Sequence, residues 1–327
     1  MAAGTIPEAF KVATDIIENI ERVIVGQEAA VRLVAMALLA RGSVLIEGPP
    51  GAGKTTFARS LAKSISGSFR RIQCTSDLLP TDVTGTYIFD QRDHDFHFHA
   101  GPIMANLVLV DEINRAPPRT QSAFLESLEE QQVTVDGVTH PMPVPYMILA
   151  TRNPSVHIGT FPLPETELDR FQTNIELTYL DGPDEVKLAE SQLSGHPLDD
   201  LTPVADLADV ARAQEAVRSV YVDTTVVSYI VALVNAARAH AAVDFGPSPR
   251  ATMALAQLAR ANALLEERDF TTPDDVKAVA TAALGHRISA SQRSPSAFAS
   301  QDLVNELLST VPVPNPQAAP SGHSAGS

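Results

Sequence analysis

A glycine-rich loop between a predicted strand and a predicted helix constrains this chain more than any other feature. The loop is Gly48-Pro49-Pro50-Gly51-Ala52-Gly53-Lys54-Thr55, and it matches the pattern GxxxxGK followed by Ser or Thr. Apolar residues 44–46 precede it, and an alanine-containing helical pattern follows over residues 56–63. Glycines let the backbone N–H groups turn toward phosphate oxygens, and the helix N-terminus adds partial positive charge. The pattern therefore predicts a nucleoside triphosphate site in an α/β domain.

Individual side chains of this loop have predictable roles. Lys54 can reach the β- and γ-phosphates, and the hydroxyl of Thr55 can ligate Mg²⁺. The loop therefore predicts a nucleoside triphosphate and Mg²⁺ as its ligands. The loop residues predicted to bind the nucleotide are Gly48, Pro49, Pro50, Gly51, Ala52, Gly53, Lys54, Thr55 and Thr56.

Two carboxylates end an apolar strand further along the chain. Asp111 and Glu112 directly follow the run Leu107–Val110. Asp111 can hold Mg²⁺ directly or through water, and Glu112 can polarise the water that attacks the γ-phosphate. Acids at a strand end are common, but beside a phosphate loop they indicate the metal and catalytic side of one site.

Three further residues are candidates on weaker grounds. Asn153 ends another apolar strand, where its amide can orient water or where an Asn-Pro pair can simply form a turn. Arg170 and Arg250 can stabilise a transferring phosphoryl group, in cis or from a neighbouring subunit. Surface charge is the commoner role of an arginine, so spacing alone leaves both alternatives open.

Composition excludes several classes of protein. The chain has 327 residues, a net charge of −15 and no Lys/Arg-rich block, which argues against nucleic acid or an anionic membrane as its main partner. Cys74 is the only cysteine, so no internal disulfide can form. We see neither a signal peptide nor about 18 uninterrupted apolar residues, so we expect a cytoplasmic protein with no membrane insertion.

The order of apolar runs predicts the fold. Strands are predicted at Ser43–Ile46, Phe69–Cys74, Leu107–Val110, Tyr146–Ala150 and Asn174–Leu177. Because helical patterns separate several of them, we expect a mostly parallel sheet with helices on both faces. Hairpins are predicted at Gly85–Ala100 and Gln132–Met142, the second around an Asp-Gly turn.

The pattern changes after Asp181. Helices are predicted at Asp184–Leu193, Asp206–Val217, Thr224–His240, Arg250–Arg268 and Pro273–Leu284. The predicted domains are thus an α/β core over residues 1–181 and an all-α domain over residues 182–311. The Pro/Ser/Ala/Gly-rich tail, residues 312–327, is predicted to be disordered.

The histidines and the cysteine give weak signals. His97 and His99 alternate along one strand and would share a face as a metal pair, but the solvent face of a hairpin is the simpler interpretation. A structural role is predicted for the isolated histidines, His157, His196, His240 and His286. Cys74 is predicted to be a packed thiol.

The chain resembles MoxR-type AAA+ ATPases over about residues 15–290. Besides the phosphate loop, the matching stretches are Val23–Glu28, Phe69–Pro80, Asp82–Gly85, Gly101–Ile103, Asp111–Gln121, Glu129–Thr134, Pro162–Glu165, Leu168–Phe171, Ser248–Ala251 and Thr272–Lys277. The run that begins Asp111-Glu-Ile-Asn-Arg-Ala-Pro-Pro is the most specific to this branch.

This resemblance implies an α/β P-loop (AAA+ αβα) domain with a helical lid, and hexameric rings with ATP between subunits. It places Val25 and Gly26 at the adenine, Asn153 as the sensor of the γ-phosphate, Arg170 as the finger that reaches a neighbour's site, and Arg250 as the lid arginine. It implies a chaperone that matures protein complexes, often with a von Willebrand factor A domain partner, and the two hairpins would face the pore or partner.

One residue departs from the family pattern, and two functions other than a motor are compatible with the motifs. The family usually has glutamine where Arg152 stands, so the added charge either alters the water network or pairs with an acid. A nucleotide-gated scaffold with slow turnover is the alternative to a motor. A chelatase-like or helicase-like ring subunit is the third interpretation, and the net charge of −15 weighs against the helicase.

Overall fold

The computed structural model describes residues 4–153, 160–193, 195–290 and 300–313. Its helices are α1 (Ile6–Glu21), α2 (Glu28–Leu39), α3 (Lys54–Ser64), α4 (Pro80–Thr84), α5 (Pro118–Glu130), α6 (Glu165–Leu168), α7 (Gly182–Gln192), α8 (Leu207–Ser219), α9 (Thr224–Ala239), α10 (Pro249–Leu265), α11 (Pro273–Leu284) and α12 (Ser300–Thr310). Its strands are β1 (Val44–Glu47), β2 (Phe69–Gln73), β3 (Gly85–Asp90), β4 (Asp95–Ala100), β5 (Leu107–Asp111), β6 (Gln132–Val135), β7 (Val138–Pro141), β8 (Met147–Arg152), β9 (Thr173–Glu176), β10 (Val243–Phe245) and β11 (Ser289–Ala290).

A parallel sheet forms the centre of the first domain. Its strand order is β2-β5-β8-β1-β9, and each neighbouring pair runs parallel. The prediction of a parallel sheet is confirmed, with strand ends within about two residues of those expected. Because all strands run the same way, their carboxyl ends meet at one edge of the sheet, where ligands bind in open α/β sheets.

Helices cover both faces of this sheet. Alternate residues of one strand point to opposite sides, so β5 contributes Leu107 and Leu109 to one apolar cluster and Val108 and Val110 to another. The first cluster includes side chains of α1, α2 and α3, and the second includes side chains of α5. This arrangement confirms the αβα core that the alternation of strands and helices predicts.

The carboxyl-terminal region is helical, as expected. A third apolar cluster joins α8, α9, α10, α11 and α12, and it also takes in residues from α1 and α2. One detail corrects the all-α prediction: β10 and β11 form a small antiparallel pair in this region. Their three and two residues are too short to give a recognisable alternation. No helix in the described ranges is long and apolar enough to span a bilayer.

Both predicted hairpins form. β3 pairs with β4, and β6 pairs with β7 around Asp136 and Gly137, which both have positive φ as a two-residue turn requires. The hairpins touch each other. The ring of His140 on β7 stacks on Phe98 of β4 with centroids 3.8 Å apart, and the hydroxyl of Tyr87 lies 3.3 Å from its Nε2. The predicted disordered tail lies outside the described residues from position 314 onward.

Candidate nucleotide site

The phosphate loop connects the carboxyl end of β1 to the start of α3. Gly53 caps α3 with φ of +83°, a left-handed conformation that favours glycine. Gly48 is constrained by space, because a Cβ there would lie 2.4 Å from the carbonyl oxygen of Leu177. Gly48 thus allows the loop to lie close to Leu177, and the left-handed turn at Gly53 directs the first N–H groups of α3 toward one cavity.

Lys54 lies inside the loop and reaches the end of β8. Its Nζ donates to the carbonyl oxygens of Gly48 and Pro49, at 2.6 Å and 2.9 Å, and to Oδ1 of Asn153 at 3.0 Å. Burial lowers the pKa of Lys54, and the nearby carboxylates of Asp111 and Glu112 partly oppose that shift. The structure therefore brings the predicted sensor amide directly to the predicted phosphate-binding lysine.

Asp111 is the buried carboxylate of this edge. Its Oδ1 accepts a hydrogen bond from Thr151 at 2.6 Å, and its Oδ2 accepts one from Thr55 at 3.2 Å. The Arg71 guanidinium donates to the same Oδ2 through Nε at 3.1 Å and through a terminal nitrogen at 2.7 Å. A hydroxyl and a carboxylate oxygen this close match the oxygen ligands that Mg²⁺ prefers, so Thr55 and Asp111 fit a Mg²⁺ ion.

Glu112 leaves β5 in a left-handed conformation, with φ of +57° and ψ of +53°. Such a backbone costs on the order of 1 kcal/mol for a residue other than glycine. Its N–H donates to Oγ1 of Thr151 at 2.9 Å, which fixes the bend. Its carboxylate accepts from Gln73 at 3.3 Å and from Arg115 at 3.1 Å. The bend turns the carboxylate of Glu112 from the strand into the cavity beside the loop.

Two cavities meet at the phosphate loop. The first, of about 470 Å³, is lined by residues of the phosphate loop and by polar side chains of the neighbouring strand ends: Pro50, Gly51, Ala52, Gly53, Lys54, Thr55, Thr56, Arg71, Gln73, Asp111, Glu112 and Asn153. The second, of about 390 Å³, shares residues 51–53 and Thr56 and is more apolar, with Val25, Tyr179 and Leu188 in its wall. The hydroxyl of Tyr179 donates to the carbonyl oxygen of Pro50 at 3.2 Å and so connects that wall to the loop. Within the wall, Gln27 donates to the carbonyl oxygen of Thr178 at 3.2 Å. A polar cavity that continues into an apolar one suits a polyphosphate and its base.

The remaining predicted nucleotide contacts take other positions. Gly26 lies next to Val25 with φ of +67° and does not line the second cavity. It allows close packing, since a Cβ there would lie 2.5 Å from a carboxylate oxygen of Asp184 at the start of α7. Gly48 and Pro49 line neither cavity, and their carbonyls accept from Lys54 instead.

Arg170 and Arg250 lie together, but not at the phosphate loop. Both pair with the carboxylate of Glu129: Arg170 at 3.4 Å, and Arg250 through a close ion pair. Arg250 also lies 3.7 Å from Asp169. These residues line a separate cavity of about 480 Å³. Within one subunit the structure brings the two predicted arginines to each other and leaves them outside the cavities at the loop.

A buried ion pair fixes this arginine surface. Nε of Arg287 donates to Asp169 at 3.0 Å, and its other nitrogens donate to backbone carbonyls of the same turn. Burial lowers the pKa of Arg287 to about 10. Asp169 also accepts from Ser248, whose side chain caps α10 by accepting from the N–H of Arg250. Asp169, next to Arg170, and Ser248, the N-cap of α10, therefore join core and lid at one point.

The sequence interpretation missed Arg71, Gln73 and Thr151. Arg71 and Gln73 lie on β2 and Thr151 lies on β8, the two strands that flank β5. The available signal was the presence of polar residues within or at the end of predicted strands. The strand order was also needed, because it decides which strand ends lie next to Asp111.

Comparisons with known proteins agree with this geometry. Residues 43–173 match the family described as ATPase family associated with various cellular activities (AAA), and residues 231–307 match an AAA lid domain. Chaperone MoxR1 of Mycobacterium tuberculosis is 37% identical over 99% of this chain and 88% of its own length. The uncharacterized protein YeaC of Bacillus subtilis is 43% identical over 93% of this chain and 95% of its own. The chain belongs to the MoxR family of AAA+ ATPases.

A solved structure supports the same fold. The crystal structure of a proposed ATPase from Cytophaga hutchinsonii superposes with a TM-score of 0.84 at 32% identity, over 94% of this chain and 98% of that one. Membership of the MoxR family implies nucleotide binding, for which Mg²⁺ is the usual companion. The sequence prediction of an AAA+ core with a helical lid is thereby confirmed.

The departure at Arg152 has a local explanation in this MoxR-family chain. Its Nε forms a close ion pair with Oε1 of Glu47 at the end of β1, and Asn174 donates to the other oxygen at 2.7 Å. Of the two alternatives, pairing with an acid is the one observed. Arg152 does not line the phosphate cavity, so its charge is compensated away from Lys54.

The structure also bears on the predictions for the cysteine and the histidines. Cys74 is buried, and burial raises its pKa to about 12, which confirms a packed thiol. His97 lies exposed and pairs with Asp93 at 2.5 Å, an interaction that raises its pKa. The possible ligand group there is Asp90, Asp93 and His97 rather than His97 with His99. His286 is buried and bonds to the carbonyl of Phe171, whereas His157 lies outside the described residues.

Proposed function

We propose that this MoxR-family chain hydrolyses ATP with Mg²⁺ at the subunit interfaces of a hexameric ring and uses the cycle to remodel protein complexes. The convergence of Lys54, Thr55, Asp111, Glu112 and Asn153 around one cavity carries the proposal. These groups come from two neighbouring strand ends, those of β5 and β8, and from the N-terminus of α3, which is the arrangement that phosphoryl transfer to water needs.

Each group has a role that follows from its position. Thr55 and Asp111 would hold Mg²⁺, which supplies positive charge to the phosphates when bound. Lys54 adds a further positive charge beside the γ-phosphate. Glu112, aimed into the cavity by its bent backbone, takes a proton from the attacking water or orients it. Asn153 holds that water or the γ-phosphate through its amide, next to Lys54.

The arginines act on a neighbouring subunit in this proposal. Arg170 and Arg250 share one surface, held by Glu129 and Asp169 and separate from their own phosphate loop. A guanidinium stabilises the charge that develops on a transferring phosphoryl group, and supplying it from outside makes turnover depend on assembly. We therefore assign Arg170 as the finger and Arg250 as the lid arginine of the adjoining site.

The hairpins supply the surface for a protein client in this proposal. Ile88, Phe89 and Phe96 are exposed on the hairpin β3–β4, where they offer apolar contact area. A relative named Chaperone MoxR1 supports a client that is a protein. A von Willebrand factor A domain protein remains the expected partner, and we locate the activity in the cytoplasm because ATP is supplied there.

Steady-state hydrolysis of ATP with Mg²⁺ tests the proposal, with Glu112→Gln beside the wild type. We expect this variant to bind ATP as the wild type does and to lose at least about a hundredfold in turnover, the usual contribution of a general base. Glu130→Gln is the matched control, because this acid bonds to Gln132 and lines neither cavity. Equal turnover in all three proteins would instead support a nucleotide-gated scaffold.

A further inference from the structure

Arg71 and Thr55 reach the same oxygen atom of Asp111. Two nitrogens of the Arg71 guanidinium lie 3.1 Å and 2.7 Å from Oδ2, and the Thr55 hydroxyl lies 3.2 Å from it. The other oxygen, Oδ1, is bound by Thr151. Arg71, which has no role in the proposed hydrolysis of ATP, therefore occupies the oxygen of Asp111 that faces the phosphate loop.

The arginine compensates a buried charge. Asp111 is 6% exposed. Burying a charged carboxylate raises the free energy of the folded state unless a group of opposite charge lies beside it. Across the described ranges, Arg71 is the basic side chain that forms an ion pair with Asp111. Its own side chain is 47% exposed and lines the phosphate cavity, so it has room to move.

A metal ion held by Thr55 and Asp111 needs that same Oδ2 oxygen. A divalent cation and a guanidinium repel each other, and both cannot approach one carboxylate oxygen closely. We propose that Arg71 is an exchangeable counter-ion of Asp111: it holds the carboxylate until Mg²⁺ arrives with a nucleotide, and it then turns to the phosphates in the same cavity. This inference rests on the proposed function, since it assigns a regulatory step to the same site.

Movement of Arg71 would also affect the hydrogen bonds of Glu112. A terminal nitrogen of Arg71 donates to Oε1 of Gln73 at 2.6 Å, and Nε2 of Gln73 donates to Glu112 at 3.3 Å. Movement of Arg71 away from Asp111 therefore changes the hydrogen bonds of the amide that holds the catalytic carboxylate. A nucleotide without metal leaves Arg71 paired, so the site distinguishes the metal complex of ATP from free ATP.

Arg71→Gln tests this exchange, with Arg70→Gln as the matched control. Arg70 is the preceding residue of β2, is exposed and points to the other side of the strand, and among the described residues its side chain donates to the carbonyl of Phe69. The measurement is fluorescence of a labelled ADP at fixed concentration while Mg²⁺ is titrated. We expect half-maximal Mg²⁺ to fall about fivefold in Arg71→Gln and to stay unchanged in Arg70→Gln.

Thermal unfolding in EDTA provides a second readout that needs no turnover. Arg71→Gln leaves Asp111 without its cation, so its melting temperature should fall in EDTA and recover with Mg²⁺ and ADP more than that of the wild type. If Arg71→Gln does not fold, Arg71→Lys keeps the charge without the forked contact, and its half-maximal Mg²⁺ should still fall. An equal or higher Mg²⁺ requirement in the folded variant overturns the inference. A wild type that binds no labelled ADP at any Mg²⁺ concentration overturns the proposed function itself.

Discussion

Thr151 shows how one hydroxyl organises both acids of the site. It is fully buried, donates to Oδ1 of Asp111 and accepts from the N–H of Glu112. The first bond orients the predicted metal ligand, and the second holds the bend that aims the predicted base. Thr151, which has no proposed role in the chemistry, thus sets the geometry of Asp111 and Glu112, for which we propose such roles.

Thr151→Val should therefore lower both stability and turnover. Valine has the same shape but leaves a buried carboxylate oxygen and a buried N–H without their partner, which costs about 1–3 kcal/mol in the free energy of unfolding. Urea unfolding measures this change, and hydrolysis of ATP should fall with it. Thr139→Val on the exposed hairpin is the control, because Thr139 is exposed and its hydroxyl pairs with that of Thr134, far from Asp111 in sequence. Wild-type stability and turnover in Thr151→Val would contradict this role.

The residues that sequence alone predicted lie within short motifs. Lys54 and Thr55 follow a strand and open a helix, so their roles need no knowledge of distant contacts. Thr151 and Arg71 could not be assigned in this way, because their contact with Asp111 depends on β2 and β8 flanking β5. Likewise, Glu129 meets Arg170 and Arg250 only after α5, the turn that follows α6 and the start of α10 pack together.

At the scale of elements, the two hairpins are joined rather than independent. His140 of β7 stacks on Phe98 of β4 and contacts Tyr87 of β3. Each hairpin was predictable from its own alternation and turn. Their contact was not, because an isolated histidine in a sequence gives no indication of which ring it meets. The five long apolar strands were predictable for the same local reason, whereas β10 and β11 were not.

His140→Ala should loosen both hairpins together. Stacked rings contribute about 0.5–1.5 kcal/mol, and His140 of one hairpin stacks on Phe98 of the other. Hydrogen exchange should become faster at amides of β3 and β4 as well as at those of β6 and β7. His99→Ala is the control, because His99 is exposed and on the other side of β4 from Phe98. Faster exchange confined to β6 and β7 would show that the hairpins move separately.

At the scale of the whole molecule, the chain carries two separate surfaces that the proposed ring would combine into one reaction centre. The phosphate loop, the acids and Asn153 line one cavity. Arg170 and Arg250 line another, with Glu129 between them. In the proposed ring, the second surface of one subunit completes the first surface of the next. Two inactive variants, each with a defect in a different surface, should then recover ATP hydrolysis when they are mixed.

Mixing Glu112→Gln with Arg170→Ala tests this claim most directly. The first variant keeps the arginine surface and loses the base, and the second keeps its own base and loses the finger. We predict that each alone is nearly inactive in ATP hydrolysis and that an equimolar mixture recovers activity, because a Glu112→Gln subunit supplies Arg170 to an intact neighbouring site. A mixture no more active than the sum of its two components, at concentrations where the wild type is fully active, would contradict the account.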